Sequence, residues 1–246
     1  MHFNFSGSYS EKEKKLFKSA QVNDVIKISE YLKTPLKNLE KIRYEVFDIR
    51  EGKQEADPHH SISRASARFK QMTIYRFWEP KDDPHFPHET THLVAHTWAK
   101  PYKWRVKLVT WDSKTIIKTV EMVSTSFFQE GLAIAVDEIV FKRKLLEKGK
   151  RKYSGEWCKK YINKIPKLIE CINFEGFNSF DNEVVVPFSA SLSKYLIISS
   201  GLGKYKKMYT SIRETFPSDK NINLIEEIYA LRIKELQDNW RLFLKE

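Results

Sequence analysis

Four of the chain's seven histidines fall within twelve residues, at His85, His88, His92 and His96. Inside that run stands His88-Glu89-Thr90-Thr91-His92. Residues four apart on an α-helix lie one turn apart on the same face. In that conformation two imidazoles can grip a single metal ion about 2.0–2.1 Å away. Glu89 is turned about 100° from His88, so it borders the ion without having to ligate it. That is the position of a general base for water at the metal. The pattern therefore calls for a helix here and a further ligand elsewhere in the chain.

The helix start is set by two prolines, since Pro suits the first turn but not the interior. Either Asp83 is the N-cap with Pro84 at the first position, or the helix begins at Pro87. His85 lies one turn upstream of the pair, at the rim. His96 continues the stripe, but it stands about 12 Å along the helix from His88, beyond one ion's ligand sphere, so it reads as a residue that supports a ligand or packs beside it. The longer pattern H-E-x-x-H-x-x-G-x-x-H is not met, because Ala95 and Trp98 hold its Gly and last His positions.

Zinc held by two histidines needs one more protein ligand and an open position. Glu130 is the best candidate, in Phe127-Phe128-Gln129-Glu130-Gly131-Leu132-Ala133-Ile134-Ala135-Val136-Asp137. A lone buried carboxylate is costly unless paired or bound to metal. Small Gly131 and Ala133 would let this helix approach the histidine helix closely. Asp137, two turns on, either accepts the free N–H of His88 or His92 or forms a surface salt bridge.

The elements around these motifs follow from periodicity. Residues 11–34 read as a helix, with Leu16, Ala20, Val25, Ile28 and Leu32 on its apolar stripe. Segments 42–49 and 67–78 read as strands, with a polar loop at 50–62 between them. A short helix covers about 85–99, and Val106–Trp111 is a strand or loop. Helices are expected at about 116–147, 155–170, 188–200, 202–214 and 221–244. Few strands followed by many helices is an α+β pattern.

Composition narrows the class. The chain has 246 residues, 41% hydrophobic and 30% charged, which suits a globular protein with a core and excludes a wholly disordered one. No apolar run approaches the roughly 20 residues of a membrane span, and Met1–Lys15 has no signal-peptide core. A cytoplasmic location is the expectation. Cys158 and Cys171 read as buried free thiols. The net charge of +11 favours acidic or phosphate-bearing partners, yet its lysines are spread along the chain with local clusters at 142–144 and 148–152. Such lysines usually form a solvated face, and no nucleic-acid-binding motif accompanies them, so nucleic acid is not the expected partner.

The chain resembles the gluzincin, or peptidase MA-like, zinc metallopeptidases. The resemblance rests on His88-Glu89-Thr90-Thr91-His92 followed by Glu130-Gly131-Leu132-Ala133, like the family's H-E-x-x-H and E-G-x-A. Softer likenesses are Ser189–Ile197, then Gly201–Tyr205, and a closing helix pair through Leu236 and Trp240. They cover about residues 40–244. The resemblance implies one zincin-like catalytic domain over 1–246, an α/β lobe of about 1–100 with a small mixed sheet, and a helical lobe of about 113–246. It implies Zn2+ on His88, His92 and Glu130, with Glu89 as general base and acid. It also implies that the strand near 70–78 edges the cleft and can pair with an extended peptide. Where many relatives carry a Tyr before the serine-rich stretch, Val185-Val186-Pro187 stands here. Tyr195, Tyr205 and Tyr209 are the substitutes for an oxyanion stabiliser. The G-A-M-E-N aminopeptidase signature is absent.

The expected function is a zinc-dependent peptidase acting on peptide or protein. The alternative is an inactive zincin-like module that uses its basic surface for a protein or nucleic-acid partner.

Overall fold

The computed structural model describes residues 1–51, 65–109, 113–147 and 150–246. It has mixed α+β structure in two compact units, Met1–Thr97 and Trp98–Glu246. Of the polar loop expected at 50–62, residues 52–62 lie outside the described residues, as do 110 and 111 of the segment expected at 106–111.

The first unit runs β1 (His2–Ser6), α1 (Glu11–Tyr31), β2 (Arg43–Asp48), β3 (Ala65–Arg68), β4 (Thr73–Trp78) and α2 (Pro87–His96). Its sheet has the order β1-β2-β4-β3. Strands β1, β2 and β4 are parallel, and β3 is antiparallel to β4. Parallel neighbours need a long crossover, and α1 supplies the one between β1 and β2.

Helix α1 opens on a capping box in which Ser10 Oγ accepts the Glu13 N–H and the Glu13 carboxylate accepts the Ser10 N–H. It ends before Lys33, which takes a left-handed φ of 49°, with Pro35 just beyond. Its buried stripe is Phe17, Ala20, Gln21, Asp24, Val25 and Ile28. Leu16, expected inside, is 50% exposed, and Phe17 is buried in its place. Two buried polar residues in the stripe disguised its phase. The Phe17 ring meets Tyr44 and Trp78, so α1 covers the sheet face that carries Tyr44, Val46 and Trp78.

The strand expected over 67–78 is a hairpin. A 3-10 turn at Phe69–Gln71 and a left-handed Met72 (φ 49°) separate β3 from β4. No Gly or Asn marks that turn, so the pattern reads through it. As a consequence β4 is interior, paired on both sides, and the edge strand on that side is β3. The expectation that residues 70–78 form a free edge is corrected accordingly.

The second unit begins with a hairpin of β5 (Tyr102–Val109) and β6 (Thr115–Met122), paired antiparallel from Tyr102–Met122 to Val109–Thr115. The long helix expected over 116–147 is thus overturned. Its first seven residues, 116–122, belong to β6, which is rich in β-branched Thr115, Ile116, Ile117, Thr119 and Val120. The helical part is α3 (Ser126–Val140), followed by a small hairpin of β7 (Leu145–Glu147) and β8 (Lys150–Lys152).

Then come α4 (Ser154–Lys160), a 3-10 turn at Ile162–Lys164, α5 (Leu168–Cys171), α6 (Phe174–Ser179) and α7 (Asn182–Ser200). The helix expected at 155–170 is broken before Pro166. Last are α8 (Leu202–Ser211), α9 (Ser218–Tyr229) and α10 (Ile233–Phe243). The last two replace a single helix expected at 221–244, divided where Ala230 turns left-handed at φ 54°.

Helix α7 is central to this unit. Its Phe188 packs on Phe127 of α3 and on Trp240 of α10, and Ser191 Oγ accepts the Trp240 indole N–H at 3.1 Å. Leu236 and Trp240 are both buried. Cys158 and Cys171 are buried free thiols. Among the described residues no helix is long and apolar enough to cross a membrane.

Candidate metal centre

Helix α2 begins at Pro87, which occupies its first position and so loses no hydrogen bond. Its N-cap, Phe86, has no capping side chain of its own. The function is taken over from α1. Asp24, fully buried, accepts the Phe86 N–H at 2.9 Å and meets His85 Nδ1 at 2.7 Å. Gln21 Nε2 donates to the Pro84 carbonyl. A carboxylate at a helix N-terminus is favoured by the helix dipole. His85 is therefore an Asp24 partner with a side chain 38% exposed.

The two threonines between the histidines are fully buried. Thr90 Oγ1 meets the Tyr44 hydroxyl at 3.2 Å, and Thr91 Oγ1 donates to the Pro87 carbonyl at 2.9 Å. Thr90 and Thr91 thus face inward, Thr90 against the sheet, and His88 and His92 lie on another face. There His88 Nε2 and His92 Nε2 lie 3.2 Å apart, with the rings edge to face. Two ligands at about 2.0–2.1 Å from one ion, at a tetrahedral angle, would stand about 3.3 Å apart. The pair fits a shared metal.

Phe69, from the turn between β3 and β4, supports this face. It stands edge-on to His92 and stacks on His96, with ring centroids 4.6 Å apart at 11°. Of the two roles expected for His96, packing is the one this contact displays. Glu89 is half-buried in the first turn of α2.

Glu130 is half-buried in the second turn of α3. Its neighbour Gly131 faces α7. A Cβ there would overlap the Ser189 carbonyl oxygen and crowd Ser193 Oγ at 2.5 Å. Asp137, further along α3, is half-buried. Its backbone carbonyl receives the N–H groups of Phe141 and Arg143.

The candidate tyrosines separate clearly. Tyr205 is fully buried, its hydroxyl 3.0 Å from Ser193 Oγ. Tyr195 is half-buried against the Phe243 ring. Tyr209 is buried, and burial first, then the negative charge of Glu130, pushes its phenol far above the usual range. Of the helical elements around Glu130, α8 thus brings a phenol into the carboxylate's field.

Glu138 and Glu214, like Asp24 and Asp48, are buried carboxylates that the sequence reading did not single out. Glu138 accepts the Ser154 N–H at 2.5 Å and the Lys194 ammonium at 3.0 Å. Glu214 accepts the N–H groups of Ser126 and Phe174, tying the starts of α3 and α6 together. Its own N–H donates to the Tyr102 hydroxyl, which in turn donates to the Ser124 carbonyl. Burial raises the Glu214 carboxyl above its ordinary value. The argument that a carboxylate among apolar neighbours needs a partner applies to Glu138 as it does to Glu130. No such sequence signal marks Glu214, whose partners are backbone groups 40 and 88 residues away.

Comparison of the chain with protein-family models, with curated proteins and with solved structures finds no match in any of the three.

Proposed function

We propose that the chain is a zinc-dependent hydrolase, and within that class a peptidase acting on peptide or protein. The observation that carries the reading is the 3.2 Å separation of His88 Nε2 and His92 Nε2, with Glu89 beside them on the same helix. The reading takes Glu130, half-buried on α3, as the third ligand.

Two neutral imidazoles and one carboxylate are a donor set suited to zinc with a position left open. A bound zinc ion supplies a Lewis acid, which polarises a carbonyl and lowers the pKa of water to about 7. The chain's own residues do the rest. His88, His92 and Glu130 would hold the ion, and buried Thr90, in contact with the Tyr44 hydroxyl, ties their helix to the sheet. Glu89 takes the proton of the attacking water and hands it to the leaving amine.

The test is zinc content per chain, measured together with cleavage of a mixed peptide library by the wild type and by Glu89→Gln. The expected result is about one zinc in both proteins and cleavage reduced by about 10²–10⁴-fold in the variant. Full cleavage by Glu89→Gln, or no zinc in either protein, overturns the reading. Zinc in both without any cleavage keeps the metal site and ends the hydrolase.

A further inference from the structure

The positive charge of this chain is concentrated. Residues 142–167 hold eleven Lys and Arg against two Glu, which leaves 32 basic and 30 acidic residues in all the rest. Nearly the whole excess sits in this segment, with Lys150, Arg151 and Lys152 on β8, Lys159 and Lys160 on α4, and Lys164 in the 3-10 turn that follows.

We propose that this face, through Lys150, Arg151, Lys159, Lys160, Lys164 and Lys167, binds the phosphate backbone of a nucleic acid without reading its sequence. All six side chains are exposed. Among the described residues none of the six has a carboxylate partner. Like charges this dense repel one another, and a line of phosphates relieves that repulsion while releasing counterions.

The lysines rest on an aromatic floor. Trp157 and Tyr161 stack in parallel at 6.2 Å. Lys160 Nζ lies 5.1 Å from the Trp157 ring centre and 4.5 Å from that of Tyr161, and Lys164 lies 6.0 Å from the latter. Lys152 covers Trp157 at 5.6 Å. Cation–π attraction of this kind holds ammonium groups at the surface.

The same arrangement selects the partner class. Trp157 is only 2% exposed, so it offers no platform to a stacked base. No large hydrophobic side chain is exposed among the described residues of 142–167. A protein interface ordinarily has an apolar core depleted in lysine, and a membrane-binding face needs apolar residues to insert. Nucleic-acid interfaces are polar and strongly positive. Lysine ammonium groups act on phosphates as point charges. Contacts made only to the backbone carry no sequence information.

The experiment measures anisotropy of the full chain with labelled DNA of two unrelated sequences, from about 50 to about 200 mM salt. The expected result is equal affinity for both sequences and a log K against log salt slope of about −3 to −6. The combined variant Lys150→Glu, Arg151→Glu, Lys159→Glu, Lys164→Glu weakens binding about tenfold or more at the lowest salt. The milder all-Gln version of the same four weakens it less. Reversal of Lys103, Arg105 and Lys107, exposed on β5, leaves it unchanged. Circular dichroism confirms that each variant is folded. Polyglutamate or anionic phosphatidylserine vesicles binding as tightly as DNA overturns the proposal, as does equal weakening by the β5 variant or no binding at all. Glu89→Gln binds DNA as the wild type does, so failure here is distinguishable from failure of the metal reading.

Discussion

His88 Nε2 and His92 Nε2 face each other at 3.2 Å across one turn of α2. That spacing is set within a helix whose Thr90 hydroxyl meets Tyr44 of the sheet, while Thr91 bonds back to the Pro87 carbonyl of the same helix. His92→Ala removes one of the two nitrogens. Zinc per chain is expected to fall well below one in this variant. Added zinc raises the melting temperature of the wild type, with about 2.7 kcal/mol gained at a free concentration a hundred times Kd. The variant shows no such rise. Differential scanning fluorimetry with and without zinc reads both.

Asp24 is predicted to hold the start of the ligand helix. Asp24→Ala takes the carboxylate away from the Phe86 N–H and from His85 Nδ1, at a position that is fully buried. The expected cost is about 2–3 kcal/mol in urea unfolding, since a buried donor left unsatisfied loses its solvation outright. Asp24→Asn keeps an acceptor for Phe86 and recovers part of the loss. An Ala variant as stable as the wild type would show that the clamp carries no energy.

Gly131→Ala tests the contact of α3 with α7. The added Cβ overlaps the Ser189 carbonyl, which is backbone and cannot swing away. A loss of about 1–3 kcal/mol is expected from the forced shift of one helix. In urea the midpoint falls while the slope is unchanged. The double variant with Ser193→Gly recovers little, because the backbone oxygen remains in place.

Glu214 makes stability depend on pH. Burial raises its folded carboxyl above the ordinary 4.5. Between those two values the folded chain keeps a proton that the unfolded chain has released. Stability is therefore fully supported by this group below about 4.5 and falls as pH rises through the folded value. Glu214→Gln cannot ionise. Relative to that variant, the wild type is expected to gain stability as pH is lowered from about 7 to about 4.5. Urea unfolding at several pH values gives the difference, and a constant difference would contradict it.

What the sequence by itself determined is local. The H-E-x-x-H spacing demanded a helix, and α2 is one. The apolar spacing of Ala20, Val25, Ile28 and Leu32 marked α1. Alternating β-formers marked β2, and the buried thiols followed from there being only two cysteines. Each of these rests on interactions within about one or two helical turns, so neighbours in sequence carry the information.

Tertiary structure decided the rest. Residues 115–122 became a strand because β5 was there to pair with them. Residues 67–78 folded back because Met72 accepted a left-handed turn that no glycine advertised. Asp24, Glu138 and Glu214 became structural anchors because their backbone and side-chain partners arrive from 16 to 88 residues away. A buried carboxylate is stabilised only by groups the fold delivers to it, and the sequence alone does not say which groups those will be.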